Sequence, residues 1–198
     1  MILLRHGQTV FNLHFSTTRV DPGVPDPGLT ELGRTQAADA AAALKRRRET
    51  VQRIIASPYS RALETALIVA ESLGGLSVEV EPDIRELAGY SCDIGATPRD
   101  LQARWPALDF SRLQERWWAH DAGDPAAGGL DEPEAALAAR VDRFRGRVAA
   151  EGAWAETLVV CHWGPIRAMV GRRVENGQFA RHDPRGPLGV EIGAELRF

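Results

Sequence analysis

Cysteine is scarce in this chain. Its two cysteines, Cys92 and Cys161, stand far apart and neither belongs to a Cys-x-x-Cys pair, so a disulfide framework or a cysteine-based zinc site has no support. No apolar run approaches the length that spans a bilayer, and no basic, apolar, small-residue leader opens the sequence. A reduced, cytoplasmic protein without membrane contact is the expectation. Excess positive charge is missing as well. The formal net charge is -3, which argues against nucleic acid as the main partner and means that any anion site must be built locally. Internal repeats and a dividing linker are also absent, so the 198 residues are expected to form a single domain, 1-198.

Hydrophobic residues make up 44% and charged residues 26% of the chain, an ordinary globular balance. Short β-like runs alternate with longer helical ones. Residues 1-5 read as a strand. "LTELGRTQAADAAAALKRRR" reads as a helix with Thr30 as N-cap and Leu32, Ala37, Ala40, Ala41 and Leu44 near helical spacing. "RIIASP" is a second strand, followed by a helix capped by Ser57 with Pro58 in its first turn and Gly74 past its end. "LSVEVEP" is a third strand. Pro133 starts a helix with Leu137, Val141, Phe144 and Val148 along one face. "TLVVCH" is a fourth strand, "GPIRAMVG" begins a further helix, and the tail "LGVEIGAELRF" reads as one or two edge strands. The alternation predicts an α/β fold, a three-layer α/β/α sandwich with a mostly parallel central sheet. The Pro/Gly-rich stretches 19-28 and 120-129 read as loops within the domain, and a lid or insert is expected over about 90-130.

Ligands of open α/β sheets sit beyond the carboxyl ends of the strands. Arg5, His6 and Gly7 follow the first strand, Ser57 to Arg61 the second, Arg85 and Glu86 the third, and His162 to Pro165 the fourth. Together these residues suit phosphoryl chemistry. A guanidinium fork can bind two phosphate oxygens, Gly164-Pro165 opens a helix whose free N–H groups favour an anion, and Gly7 lets backbone approach a ligand. Taken singly, each also has an ordinary reading: a structural histidine, a surface arginine, a glutamate paired with Arg85.

The segments that carry these residues resemble a known family. "LLRHGQTVFN" is similar to the Arg-His-Gly signature of the histidine phosphatase superfamily, the phosphoglycerate mutase-like proteins. "GLTELGRTQA", "ASPYSRALETA", "IREL" and "VVCHWGPIRAMV" resemble further segments of the family in the family's order, from residue 2 to about 170. The resemblance implies that His6 is a nucleophile that becomes phosphohistidine. It implies that Arg5, Arg61 and His162 surround the phosphoryl group with help from Asn12, and that Glu86 is the proton donor. It implies no metal and no cofactor, and a small phosphate ester as substrate.

The sequence departs from the family pattern after Glu86, where "LAGYSCDIG" replaces an aromatic-Glu-Gly ending and makes Asp93 the fallback acid. Trp163 stands where a small residue is usual, either packed under the site or narrowing it. Hydrolysis of a phosphomonoester is favoured over phosphoglycerate mutase-type transfer, because the mutase branch carries a longer insertion and a closing tail. A catalytically silent binding or scaffold protein is the reading from another class. A metal enzyme using His6, His162 and Glu86 as ligands is disfavoured by the adjacent arginines. Trp105, Trp117, Trp118 and His120 fall in the expected lid, mostly as core aromatics, with Trp117 or Trp118 as a candidate pocket wall. His14 and His182 read as surface or loop residues, His14 close enough to the signature to meet substrate. Cys161 reads as a small buried hydrophobe. The oligomeric state stays open, a homodimer included.

Overall fold

The computed structural model describes residues 1–119 and 132–192. Among the described residues five strands form one sheet: β1 (Ile2–Arg5), β2 (Arg53–Ala56), β3 (Val78–Val80), β4 (Thr157–Cys161) and β5 (Phe179–Arg181), in the order β3-β2-β4-β1-β5. The first four are mutually parallel, and β5 runs antiparallel to β1 at the edge. Strands covered on both faces read as continuous apolar runs, which is why "ILL", "RIIA" and "TLVVC" show little polar alternation.

Pleating divides those runs between two cores. Ile2, Leu4, Ile54, Ala56, Leu158 and Val160 face one side, where α2 (Glu31–Arg46) and α3 (Ser60–Ser72) lie. Leu3, Ile55, Val159 and Cys161 face the other, covered by α5 (Glu134–Ala150) and α6 (Trp163–Val170). This is the expected three-layer α/β/α arrangement. The α5 stripe is as expected: Leu137, Val141, Phe144 and Val148 are all buried, each contributing roughly 1.5–3 kcal/mol of apolar burial. Thr30 caps α2, its Oγ1 accepting from the Gly33 N–H at 3.0 Å.

Two helices were not foreseen. α1 (Val10–Thr18) is nucleated by a reciprocal cap, the Asn12 N–H donating to Thr9 Oγ1 and the Thr9 N–H to Asn12 Oδ1. Its content of β-branched, aromatic and hydroxyl residues hides it from propensity. α4 (Pro98–Arg104) is a short helix capped by Thr97.

Other expectations need correction. α3 starts at Ser60, not at Ser57; its N-cap position is Tyr59, which makes no side-chain cap bond, because the Ser57 hydroxyl is committed elsewhere. Leu32 is 51% exposed, so the buried face of α2 is carried by its alanines and Leu44. β3 is three residues long. Among the described residues the antiparallel edge strand is Phe179–Arg181. Residues 188–192 form no strand; the Gly189 and Val190 N–H groups donate instead to carbonyls of α6, and the rest of the tail lies outside the described residues.

Of the segment expected to be a lid, the described part, 90–119, buries Leu101, Leu108, Phe110, Leu113 and Trp117 in the same core as α3. His120 and the loop 120-129 lie outside the described residues. Among the described residues no helix is long and apolar enough to cross a membrane.

Candidate active site

The parallel pairing β1–β4–β2 brings three strand ends to one edge, with Arg5 aligned to Cys161 and Ala56 to Val160. A cleft of ≈ 420 Å³ opens there, lined among others by Arg5, His6, Asn12, Arg61, Glu86, Asp93 and Trp163.

His6 is 3% exposed. Its Nδ1 lies 2.7 Å from the Gly7 carbonyl oxygen. A carbonyl only accepts, so Nδ1 carries the proton and Nε2 keeps its lone pair. Burial, with Arg61 and Arg5 alongside, pushes the His6 pKa well below the usual histidine value, so the ring is neutral at neutral pH and its Nε2 lone pair is chemically able to attack an electrophile.

Arg61 occupies the first turn of α3. Its Nη1 donates to the Cys92 carbonyl at 2.7 Å, its Nη2 to Asp93 Oδ1 at 3.0 Å, and its Nε to His162 Nδ1 at 3.3 Å. The guanidinium sits 4.2 Å from the centroid of the Tyr59 ring. Arg5 donates from Nη1 to the Val174 carbonyl at 2.9 Å, and its buried Nε–H has no acceptor among the described residues. Asn12 lines the cleft with its Oδ1 held by Thr9, which leaves its amide donors for a ligand.

Glu86 is fixed by the start of α6. Oε1 accepts from the Gly164 and Leu87 N–H groups at 2.8 and 2.9 Å, and Oε2 from the Trp163 N–H at 3.1 Å. The helix N-terminus expected to bind a substrate anion is therefore occupied by this carboxylate. Arg85 pairs with Glu132 at 2.8 Å, not with Glu86. Behind them Arg140, 1% exposed, donates to the carbonyls of Asp83, Arg85 and Glu86 and to both Glu132 oxygens. No periodic pattern in the sequence signals such a clamp.

Several residues differ in place from the expectation. Gly7 faces α2 rather than the cleft: a Cβ there would collide with the Gly33 carbonyl, and one on Gly33 with that of Gln8. Gly7 is needed for this backbone approach, and its N–H donates to Thr65 Oγ1 at 3.1 Å.

His162 is fully buried and is not among the cleft-lining residues. Its Nδ1 accepts from Arg61, so Nε2 carries the proton and donates to Ser57 Oγ at 2.7 Å. Burial, then Arg61 and His6, pushes its pKa well below the usual value. The ring is neutral and accepts from Arg61, and its centroid lies 5.1 Å from that of His6.

Asp93 is the buried ion-pair partner of Arg61. Burial pushes its pKa up to about 6 against the pull of Arg61, and its Oδ2 accepts from the Gly89 and Tyr90 N–H groups. Trp117 is a core residue and Trp118, half-buried, packs against that core; both lie outside the cleft lining, and Trp117 packs edge-on against Tyr59 at 4.7 Å. Trp105 packs against the same core. Trp163 does line the cleft. His14 is exposed and off the cleft, whereas His182, expected at the surface, is buried with its Nδ1 3.1 Å from the Val190 carbonyl. Cys92 and Cys161 are buried and unpaired, and burial pushes both thiol pKa values up.

Sequence reasoning missed Asn176, whose Nδ2 donates to the His6 carbonyl at 2.9 Å, and the aromatic residues Phe11, Phe15 and Tyr90 of the cleft wall. The i, i+4 spacing of Phe11 and Phe15 was the available signal. Among the described residues no group of three or more His, Cys, Asp or Glu is placed to hold a metal ion.

The family model of the histidine phosphatase superfamily (branch 1) matches residues 1–183, and the chain belongs to that superfamily. Among particular proteins, it is 33% identical over 183 residues to one of Mycobacterium tuberculosis named as bifunctional, covering 89% of this chain and 44% of that protein. The chain thus spans less than half the length of that relative. It is 30% identical over 191 residues to the glucosyl-3-phosphoglycerate phosphatase of Mycobacterium tuberculosis, covering 85% of this chain and 80% of the relative. The solved structure of a mycobacterial glucosyl-3-phosphoglycerate phosphatase with VO3 superposes with a TM-score of 0.59 at 29% identity, covering 91% of this chain and 90% of that one.

Proposed function

We propose that the chain is a metal-independent phosphomonoesterase that works through a phosphohistidine on His6. One observation carries the reading: a neutral imidazole with Nδ1 tied to Gly7 and Nε2 free, in a cleft shared with two arginines and a carboxylate. Arg5, Arg61 and the Asn12 amide bind the phosphoryl oxygens. Nε2 attacks phosphorus, the N–P bond forms, the ester P–O bond breaks, and the alcohol leaves with a proton from Glu86. Water then attacks phosphorus, Glu86 takes its proton, the N–P bond breaks, and neutral His6 returns.

The arginines stabilise charge on the transferring oxygens. The acid contributes on the order of 10²–10⁴-fold. Rigid mounting on β1 holds His6 for in-line attack. His162 acts through Arg61, and Asp93 anchors the same guanidinium from the opposite side. The named activity of the glucosyl-3-phosphoglycerate phosphatase supports a monoesterase, as does the placement of Arg5, His6, Arg61 and Glu86 on one cleft. Two buried, unpaired thiols fit a reducing, cytoplasmic setting.

Phosphate release across a panel of monoesters at pH 6 to 7, with chelator present, is the test. The expected result is release from some esters, undiminished by chelator and abolished by His6→Ala. Release that survives His6→Ala contradicts the reading, as does interconversion of phosphoglycerates with no release from any ester. A chain that neither releases phosphate from any ester nor interconverts phosphoglycerates would be the silent binding protein.

A further inference from the structure

One wall of the cleft is not explained by phosphoryl transfer. Phe11, Phe15 and Tyr90 form a triangle of rings with centroids 5.0 to 5.4 Å apart. Phe11 is buried and closes the back of the triangle, whereas Phe15 is half-buried and Tyr90 is 44% exposed. All three line the cleft. Phe15 stacks on Phe11, and the Arg19 guanidinium lies 5.9 Å from the Phe15 ring centroid on the same cleft lining, so Tyr90 contributes most of the wall's open apolar surface, a place for a ligand's apolar group.

The wall is held in position before any ligand arrives. Asp93 accepts from the Gly89 and Tyr90 N–H groups at 3.1 Å, and Asp21 accepts from the Ser91 N–H at 2.7 Å. The helix α1 sets the distance to the phosphoryl end. Asn12 lies in its first turn and Phe15 almost one turn further, a step of roughly 5 Å along the axis. A ring joined to the phosphorus through the ester oxygen and one or two carbons reaches that far.

We propose that Phe15 and Tyr90 form the leaving-group subsite, and that the substrate class is a phosphomonoester of an alcohol bearing an aromatic ring one or two carbons from the ester oxygen. This rests on the phosphomonoesterase reading. The ring lies against Phe15 and Tyr90 while the phosphate meets Arg5, Arg61 and Asn12. Sugar phosphates and phosphoglycerates offer the wall no comparable flat apolar face.

Binding of 2-phenylethylphosphonate and methylphosphonate, whose P–C bonds resist hydrolysis, tests the subsite by calorimetry. The unmodified protein is expected to bind the phenylethyl compound roughly tenfold more tightly, a ratio in the range of an aromatic contact with its buried area. Tyr90→Ala and Phe15→Ala should each collapse that ratio toward one, and Tyr90→Phe should keep it. Equal affinity for the two phosphonates, or a ratio unchanged in both alanine variants, overturns the proposal. Hydrolysis of 2-phenylethyl phosphate, compared with His6→Ala, separates the two claims. Ring-dependent binding without His6-dependent hydrolysis of any ester sinks the phosphatase reading alone. Hydrolysis of esters without ring-dependent binding sinks the subsite alone.

Discussion

His6 and His162 lie 5.1 Å apart as rings, yet their partners give them opposite tautomers. The Gly7 carbonyl leaves the His6 proton on Nδ1, while the Arg61 N–H leaves the His162 proton on Nε2. Charge on either ring is opposed by burial and by the arginines beside it. Ring-nitrogen NMR should therefore find both histidines neutral, His6 as the Nδ1–H and His162 as the Nε2–H form, when the pH falls through 6.5, the usual histidine value. A ring that protonates at 6.5 or above contradicts the assignment. The sign for stability follows. An unfolded chain takes up these protons first, so the contribution of the two rings is full above about 6.5 and is lost as pH falls toward their lower folded values. Asp93 acts in the opposite sense, since its raised value favours the folded chain as pH falls through about 6. The histidines and arginines were legible in the sequence because they follow apolar strand runs. Asp93 was legible only as a possible acid, because its pairing with Arg61 joins residues 32 apart and leaves no local pattern.

At the level of elements, each strand end delivers one part of the site and a neighbouring element fixes it. α6 supplies three bonds' worth of constraint on Glu86 together with Leu87, and α5 holds the turn before it through Arg140. That arginine spends its donors on three carbonyls over residues 83–86 and on Glu132. Arg140→Met should loosen Glu86 and slow turnover of an alkyl phosphate by roughly 10²-fold, the lower range for loss of a positioned acid. An ester of p-nitrophenol, whose phenolate leaves without a proton, should lose far less. Equal losses on both esters would make Arg140 a stability residue only. The helices with regular apolar stripes, α2 and α5, were readable. α1 was not, because a cap and the packing of Phe11 decide it, and the true start of α3 was not, because Ser57 serves His162 instead of the helix. Gly7 was readable as a required glycine but not for its reason, since the backbone it meets belongs to Gly33 on another element.

Over the whole molecule, a parallel sheet turns residues scattered from 5 to 162 into one edge. Arg5, His6, Arg61, Glu86 and His162 meet there because β1, β4 and β2 are neighbours with matched register and β3 adds the next carboxyl end. Motif order along the chain made the architecture legible. Motifs did not reveal that His162 sits behind Arg61 rather than on the cleft surface, or that the aromatic wall comes from α1 and Tyr90. The central claim is that His6 itself takes the phosphoryl group. Rapid alkaline quench during turnover of a phosphorus-labelled ester, followed by peptide mapping, tests it most directly. The account predicts acid-labile, alkali-stable label on the peptide containing His6 and none in His6→Ala. Label on a different residue, or hydrolysis by His6→Ala at an undiminished rate, would contradict it.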